Sequence, residues 1–456
     1  MRTEKDSMGE MNVPDDALWG ASTQRAILNF PISGRPLPEP LIRGLGLLKA
    51  VAALVNEELA LLPREKSALI QSAAREVADG KLTAHFPVDV FQTGSGTSTN
   101  MNANEVIANR AAQLAKGKIA VHPNDDVNLG QSSNDVMPTA IHLSLALALR
   151  DNLRPALVTF AEILEHQRQQ FDEIIKIGRT HLMDATPLTL GQEFSGYAAQ
   201  ARKSVQRVDR SVELLHELAI GGTAVGTGLN THPEFGARVS ATLAKETGIP
   251  FHEAANHFEA QAARDDAVEV AGILATIAAS LTKIANDIRL LSSGPRAGFA
   301  ELKLPATQPG SSIMPGKVNP VMSEMLVQVC LYVQGLSQTV VMAGRDGHFE
   351  LNVTLPLMAH CLHESVACLS NGVRAFTEKC LTGLEADVGR CRELMERSLM
   401  LVTALNPHIG YAAAAGVAKE ALASGRTLRE VVLDQGLMEA AALDRALDPR
   451  SMTKPA

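Results

Sequence analysis

The chain has 456 residues and a formal net charge of −8, with 46% hydrophobic but only 4% aromatic residues. A chain of this length can bury a large, mainly aliphatic core and divide into two or three domains. The acidic balance and the absence of a basic tract argue against nucleic acid as a partner.

The N-terminal segment MRTEKDSMGEM is charged and contains no apolar stretch. No uninterrupted apolar run reaches the length of a membrane span, so no membrane partner is expected. The cysteine count is odd, and the chain has no CxxC pair. This pattern predicts reduced thiols, and we expect a soluble, cytoplasmic protein.

The first 130 residues mix short polar loops with modest helical segments, such as 39–62 and 103–116. The remaining chain changes character twice. Long amphipathic runs begin after about residue 130, and shorter helices punctuated by glycine and proline begin after about residue 355. We therefore predict three domains: an N-terminal domain (1–130), a central domain (131–355) and a small helical C-terminal domain (356–456).

Five long runs dominate the central part of the sequence: 138–171, 187–219, 262–293, 319–345 and 354–379. In the third run, apolar residues recur at three- and four-residue steps: Val268, Val270, Ile273, Leu274, Ile277, Leu281 and Ile284. This period indicates a helix with a wide buried stripe. The predicted fold class is all-α, an elongated bundle of five long helices whose broad apolar faces favour association into an oligomer.

Four polar loops interrupt these helices: 92–100 (QTGSGTSTN), 130–135 (GQSSND), 178–184 (GRTHLMD) and 310–320 (GSSIMPGKVNP). The first three precede predicted helices, and Pro187 is expected in the first turn of the third helix. Hydroxyl, amide and glycine residues before a helix are typical N-caps, and free N–H groups there bind carboxylates. Each loop alone is best read as a cap, but the four together predict a polar pocket for a small acid.

The 310–320 loop has the composition of a mobile loop that closes over an anion. Gly310 and Gly316 are expected to relieve φ restrictions, and successive N–H groups can form a concave anion site. Lys317 supplies a point charge for a carboxylate. A nucleotide P-loop is excluded, because five residues separate the glycines and Val318 follows the lysine.

A metal site was considered at His360 and His363, which lie three residues apart beside Cys361 and Glu364. No second pair of ligands follows, so we predict neither a zinc site nor any other cofactor.

The 310–320 loop resembles the signature loop of the fumarase/aspartase superfamily. Supporting blocks occur in the same order over nearly the whole chain: 4–9, 18–21, 92–104, 122–125, 131–135, 178–192, 222–230 and 406–411. Within the superfamily the chain looks most like the class II, metal-free fumarate hydratases. Aspartate ammonia-lyases usually carry glutamine in place of His181 and Ala-Gly-Ala in place of residues 93–95.

Segment 29–33 resembles the aspartate ammonia-lyases instead. That activity, or another fumarate-forming lyase reaction, remains the alternative, and a catalytically silent structural protein is a third hypothesis. The resemblance to the hydratases implies a homotetramer with a core of twenty helices, five from each subunit. Each active site would be shared by three subunits and would hydrate fumarate reversibly to (S)-malate, the tricarboxylic acid cycle step, through a carbanion.

The resemblance also implies catalytic roles. Ser311 is the base and Lys317 stabilises its alkoxide, while His181 acts on the leaving hydroxyl through a water and Glu324 orients that histidine. The implied substrate-binding residues are Ser95, Thr97, Ser132, Ser133, Asn134, Thr180, Lys317 and Asn319. A second dicarboxylate site is implied at His122, Asn124 and Asp125.

The chain departs from the family pattern at a few positions. Asp126 stands where histidine is usual, and Leu129 with Gly130 replaces a more polar pair. Met183 replaces a common glutamine, and Arg264 is also unusual. None of these changes removes a residue with an implied catalytic role.

Overall fold

The computed structural model describes residues 1–455 and has the predicted all-α architecture. Its helices, in chain order, are α1 (Ala21–Asn29), α2 (Glu39–Glu58), α3 (Arg64–Ala78), α4 (Thr97–Leu114), α5 (Ser133–Ala148), α6 (Arg154–Gln170), α7 (Leu190–Leu214), α8 (Phe235–Thr247), α9 (His257–Ala262), α10 (Asp265–Leu291), α11 (Val321–Gly344), α12 (Leu355–Phe376), α13 (Val388–Arg397), α14 (Asn406–Ile409), α15 (Tyr411–Ser424), α16 (Leu428–Asp434) and α17 (Ala440–Ala446).

Strands are short, and every sheet among residues 1–455 has two strands. They are β1 (Arg2–Asp6), β2 (Gly9–Val13), β3 (Ile175–Thr180), β4 (Met183–Thr189), β5 (Glu217–Leu218), β6 (His252–Glu253), β7 (Leu302–Lys303), β8 (Gly347–His348), β9 (Leu351–Asn352) and β10 (Glu385–Ala386). The β1–β2 and β3–β4 hairpins are antiparallel and were not predicted from the sequence.

The five predicted long runs are confirmed as helices. The first run is one continuous helical stretch, because a π-helical turn at Leu149–Leu153 joins α5 to α6. The others correspond to α7, α10, α11 and α12. The predicted run 262–293 differs from α10 by only a few residues at each end, as expected for helix boundaries read from periodicity.

The chain divides into two compact units. Unit 1 comprises Met1–Ala156, Val205–Ala279 and Val329–Asn371; unit 2 comprises Leu157–Ser204, Ser280–Gln328 and the residues from Gly372. The division points fall inside the five long helices α6, α7, α10, α11 and α12. The three domains with boundaries near residues 130 and 355 stay a prediction.

In unit 1, α2 packs against α3, α5 and α8 through an aliphatic face. The approach of α2 to α3 depends on Gly46, since a Cβ added there would lie 2.5 Å from Ala78 N and 2.8 Å from Ala74 O. In unit 2, the C-terminal helices enclose an aliphatic cluster that includes Leu405, Val417 and Val431.

Two helices, α10 and α11, are long and apolar enough to cross a membrane by length and composition alone. The core helix of a soluble protein passes the same test, and buried residues recur along α10 at three- and four-residue steps. The two helices are therefore weak evidence for a membrane span.

Gly46→Ala should destabilise the protein by about 1–3 kcal/mol, because the backbone of α3 leaves no room for the added methyl group. Gly416→Ala is the matched control: it lies inside α15, and a Cβ there would meet no atom within 4 Å. The control should be neutral or stabilising by up to about 1 kcal/mol. Thermal unfolding of both variants tests this, and equal midpoints would contradict the packing described for α2 and α3.

Candidate active site

The 310–320 loop is irregular backbone closed on itself by two hydrogen bonds. Gly310 N donates to Lys317 O at 3.0 Å, and Asn319 Nδ2 donates to Gly310 O at 2.6 Å. Gly316 has the positive φ expected, +82°. At Gly310 the reason for glycine differs from the prediction: φ is ordinary, but a Cβ would lie 2.3 Å from Lys317 O.

The side-chain hydroxyl of Ser311 closes a small turn within this loop. Its Oγ accepts N–H bonds from Ile313 at 3.3 Å and Met314 at 3.0 Å. Donors in this position favour a negatively charged oxygen over a neutral hydroxyl. The neighbouring Ser312 is exposed. The loop thus provides two of the N–H groups that a serine base needs.

Lys317 and Asn319 line an open groove of about 370 Å³ in unit 2. The same groove contains Lys303 and Asp387, which form an ion pair at 2.9 Å. That pair raises the pKa of Lys303 and keeps both groups charged. Because Lys303 is already paired, Lys317 is the cation in this groove whose ammonium is available for an incoming anion.

His181 lies at the tip of the β3–β4 hairpin, where Thr180 pairs with Met183. His181 and Leu182 both have positive φ, +56° and +62°, as in a two-residue type I′ turn. The sequence offers no Asn-Gly or similar signal for such a turn. The prediction that Pro187 opens a helix is wrong: Pro187 lies in β4, and α7 begins at Leu190.

A buried ion network, which sequence reasoning missed, holds this hairpin. Arg179 donates to both oxygens of Glu301, at 2.9 and 3.1 Å, and stacks over the Phe299 ring. Lys176 Nζ contacts Glu301 at 3.3 Å and Glu193 at 2.8 Å. Glu301 has no exposed surface, so its charge is compensated entirely by these cations.

The tip of the hairpin is exposed, and His181 forms no hydrogen bond or ion pair with other residues in the 1–455 range of its own chain. Glu324, the residue predicted to orient His181, lies in the first turn of α11, where its N–H donates to Pro320 O. The structure of one chain therefore does not join the two side chains, and their pairing stays a prediction.

In unit 1, the predicted loop 130–135 forms a capping box at the start of α5. Ser132 Oγ accepts the N–H of Asn134 at 3.2 Å, and Asp135 Oδ1 accepts the N–H of Ser132 at 2.9 Å. Asp135 Oδ2 accepts two further N–H bonds, from Gly221 at 3.1 Å and Thr223 at 3.0 Å. Burial raises the pKa of Asp135, while the three N–H donors favour its charged form.

A chain of hydroxyls brings two of the predicted loops together. Ser95 Oγ lies 2.8 Å from Thr97 Oγ1, which lies 2.7 Å from Ser133 Oγ. Asn134 Nδ2 donates to Ala224 O at 2.8 Å, so a third polar segment borders the cluster. Loop 92–100 caps α4 through a glycine: left-handed Gly96 is the N-cap residue, and no side chain caps this helix.

The residues predicted for a second dicarboxylate site lie together on a π-helical turn at Pro123–Val127. His122 Nδ1 accepts N–H bonds from Asn124 at 3.3 Å and Asp125 at 3.1 Å, and it also lies 3.2 Å from the Asp125 carboxylate. The unusual Asp126 supports the turn: it is buried, accepts the His122 N–H at 2.7 Å and pairs with Lys66 at 2.8 Å.

Arg264, another departure from the family pattern, is buried and donates to His142 Nε2 at 2.9 Å. His142 Nδ1 lies 2.8 Å from Glu217 O, so Nδ1 carries the proton and the ring is neutral. Burial and the neighbouring guanidinium lower the pKa of His142 to about 3. Arg264 therefore fixes one tautomer of a buried histidine.

The His360/His363 pair is also explained by packing. His363 is buried, with Nε2 2.9 Å from Ser144 Oγ, and burial lowers its pKa to about 4. Among residues 1–455, no group of three or more His, Cys, Asp and Glu side chains is arranged to hold a metal ion.

Comparison with known proteins identifies the class of protein to which these long helices and polar clusters belong. Residues 9–335 match the family model described as lyase, and residues 401–454 match the fumarase C C-terminus. The chain belongs to the class II fumarate hydratase family.

The full-length relatives are consistent with this assignment. Fumarate hydratase class II of Mycobacterium tuberculosis is 54% identical over 99% of this chain and 96% of its own length. The enzyme of Halalkalibacterium halodurans is 51% identical over 100% and 99%. The crystal structure of class II fumarase from Schistosoma mansoni has a TM-score of 0.97 at 40% identity, covering 100% of this chain and 99% of that one.

Asp135→Asn should destabilise the protein by about 1–3 kcal/mol, since an amide nitrogen would face a buried N–H donor. Glu430→Gln is the matched control, because Glu430 is the third residue of the exposed capping box that begins α16. Differential scanning fluorimetry should give a lower midpoint for the first variant and an unchanged one for the second. Similar midpoints would mean that the three N–H bonds to Asp135 contribute little.

Proposed function

We propose that the chain catalyses the reversible, stereospecific hydration of fumarate to (S)-malate, without a metal, by acid/base anti-addition of water. The observation that carries this proposal is the presence of His181, and of Ser311 in its N–H-lined turn, in a chain that is 51–54% identical to fumarate hydratases over nearly its whole length. A serine supplied with N–H donors and an exposed imidazole are the two proton-transfer groups that the reaction requires.

In the malate direction, Ser311 acts as the base that removes a proton from C3. The N–H groups of Ile313 and Met314 stabilise its alkoxide, and the Lys317 ammonium adds positive potential in the same loop. The electron pair left on C3 is delocalised into the adjacent carboxylate. Preorganised donors around that carboxylate lower the energy of the resulting aci-carboxylate group, which carries two negative charges.

The second half of the reaction expels hydroxide from C2. His181, acting through a water, delivers the proton that converts the leaving hydroxide into water, and Glu324 orients and charges the imidazole. The carbanion electrons then form the C2–C3 double bond of fumarate. An exposed hairpin tip suits His181 for this role, because its imidazole remains accessible to a partner and to water.

Substrate carboxylates bind to the polar clusters described above. The joined hydroxyls of Ser95, Thr97 and Ser133 donate from one side, and Ser132 with Asn134 presents the N-terminus of α5. Thr180, Lys317 and Asn319 complete the set from the hairpin and the 310–320 loop. Because the carboxylates are negatively charged, a helix N-terminus and one ammonium are an appropriate electrostatic environment in this acidic protein.

The turn that carries His122, Asn124 and Asp125 is proposed as a second site for a dicarboxylate. His122 Nδ1 is occupied by two backbone N–H groups, which leaves Nε2 directed away from the turn as a donor. Exposed Asn124 adds an amide donor.

We propose a homotetramer with a core of twenty long helices, in which three subunits contribute to each active site. Large apolar side chains are exposed along and beside α11 in the single chain: Leu331 is 60% exposed, Met342 52% and Phe349 92%. Exposed apolar patches of this kind are typical of interfaces. Burial of α10 and α11 in such a core also accounts for their membrane-like hydropathy, and we place the assembly in the cytoplasm.

The function is tested by incubating the purified protein with L-malate or L-aspartate in the presence of a chelator and following fumarate absorbance. Turnover of malate alone supports the proposal. Turnover of aspartate would support the alternative, an ammonia-lyase, and no turnover of either would support a structural protein.

Ser311→Ala and His181→Asn should each lower kcat for malate by about 100-fold or more, because each removes a positioned proton-transfer group. Ser312→Ala is the control, since this neighbouring hydroxyl is exposed and has no assigned role; its kcat should remain near that of the wild type. Wild-type kcat in either of the first two variants would refute the assigned role.

If each site is shared between subunits, two inactive variants should complement each other. Mixing Ser311→Ala with His181→Asn, followed by dissociation and reassembly, should restore activity in up to about a quarter of the sites, those that receive both intact residues. Each variant treated alone is the control. Reassembled mixtures that stay inactive would indicate that both residues of a site come from the same chain.

A further inference from the structure

One charged side chain in unit 1 has no role in the reaction as described. Lys49 lies in the middle of α2 and has no exposed surface. Its neighbours along the helix are aliphatic, including Leu45, Leu48 and Ala52. Burying an ammonium is costly, and an apolar residue of similar volume is often as stable or more stable at such a position. Stability therefore does not explain the lysine.

The Lys49 ammonium is held by neutral acceptors. Its Nζ donates to Asn128 Oδ1 at 2.9 Å and to Gln131 Oε1 at 3.0 Å. Both acceptors belong to the turn that leads directly into Ser132, Ser133 and Asn134. Because no carboxylate shares these hydrogen bonds, the positive charge of Lys49 is not neutralised at contact distance.

The two amides organise the whole turn. Asn128 Nδ2 donates to Gln131 O at 3.0 Å, and Gln131 Nε2 donates to the carbonyls of Val127 and Leu129 at 3.2 Å each. With their nitrogens used in this way, both amide oxygens point to Lys49. The ammonium thus fixes the orientation of two side chains that hold the turn together.

The same acceptor connects Lys49 to the neighbouring substrate loop. Asn128 Oδ1 also accepts from Asn100 Nδ2 at 3.1 Å and Asn104 Nδ2 at 3.2 Å, both on α4. Helix α4 begins at Thr97, whose hydroxyl contacts Ser133. Lys49 therefore lies behind both polar loops of unit 1 and is bonded to the segments that carry them.

We propose that Lys49 is a positioning residue for substrate binding: it orders the turn before α5 and places a buried positive charge behind the carboxylate-binding end of that helix. The inference rests on the proposed function, since it assumes that a substrate carboxylate binds at Ser132–Asn134. A dianion at that place is attracted by the charge, whereas the proton transfers at Ser311 and His181 do not use it. Lys49 should therefore affect KM far more than kcat.

The charge of Lys49 changes with pH near neutrality, where enzyme activity can be measured. Burial lowers the pKa of Lys49 to about 7, and Asp135 is the charged group that opposes this shift. Other charged groups on the elements packed against α2 have partners or are exposed: Lys66 with Asp126, Arg75 with Glu246, Arg110 with Glu76, Glu105 with the N–H groups of residues 20, 22 and 23, His142 with Arg264, and the surface residues Arg64, Glu65, Asp125, Arg238 and Lys245.

The charge of Lys49 determines how KM depends on pH. Below its pKa, Lys49 is charged and favours the substrate dianion; above it, the charge is lost and KM rises. Lys49→Met removes the charge at every pH and keeps the length of the side chain. The ratio of the KM of Lys49→Met to that of the wild type should be about tenfold at about pH 6 and approach one at about pH 9.

The experiment measures kcat and KM for malate across this pH range in wild type, Lys49→Met and the control Lys419→Met, an exposed lysine on α15. We expect kcat within about twofold of wild type for both variants and a raised KM at low pH for Lys49→Met only. A KM ratio that does not vary with pH, or a parallel fall in kcat and thermal midpoint, would mean that Lys49 is only structural.

A second measurement does not depend on the folding of Lys49→Met. Binding of a dianion should raise the pKa of Lys49, so succinate should bind with uptake of a fraction of a proton near pH 7. Calorimetry of the His181→Asn variant in buffers of different ionisation enthalpy measures this uptake without a contribution from that imidazole. Binding without proton uptake would overturn the inference and leave the fumarate hydratase activity untouched, whereas a wild type inactive on malate would refute the activity itself.

Discussion

The buried carboxylate of Asp135 is the constraint on which the proposed substrate-binding loops of unit 1 depend. It accepts N–H groups from Ser132, Gly221 and Thr223, so the distant segment 221–223 is tied to the first turn of α5. A buried carboxylate without hydrogen-bond donors has a high free-energy cost. The residues that supply these donors can therefore adopt few other positions. Ser133 lies on the turn that is fixed in this way, and its hydroxyl lies 2.7 Å from that of Thr97.

In unit 2, a buried ion network holds the β3–β4 hairpin in place, as the helix cap holds the turn before α5 in unit 1. The hairpin tip holds two non-glycine residues, His181 and Leu182, at positive φ, a conformation that costs of order 1–3 kcal/mol each. The strands below the tip are held by Glu301, whose buried carboxylate binds both Arg179 and Lys176. Because removal of one partner would leave an uncompensated charge, this network can hold a strained tip in place. In both units, the polar groups with a proposed role in the reaction lie next to a charged group that is itself buried.

The long helices and the local cap could be predicted from the sequence, whereas the hairpin and its long-range ion pairs could not. The long helices were predictable because apolar residues at three- and four-residue steps mark a buried stripe, and α10 follows that stripe closely. The α5 capping box was predictable because Ser132 and Asp135 are a local pair. The β3–β4 hairpin was not, since its turn lacks the usual residues and Pro187 resembles a helix start while lying in a strand. Contacts such as Arg179–Glu301 join residues far apart in sequence, and only the fold brings them together.

The environment of Lys49 could be predicted from the sequence only in part. A lysine among the aliphatic residues of the α2 stripe is visible in the sequence, although its acceptors at 128 and 131 are not. The same limit applies to contacts between subunits of the proposed tetramer, because the sequence of one chain does not show them. Each chain orders its own polar groups through internal contacts, yet the His181 side chain forms no hydrogen bond or ion pair with residues 1–455 of the same chain. The exposed apolar residues along and beside α11 also require a covering surface. Association would therefore satisfy both requirements at once, so that a chain which buries its apolar helices correctly also completes its catalytic pocket. Under this arrangement, an unassembled chain has little activity because its proton-transfer groups lack partners, even when its own fold is intact.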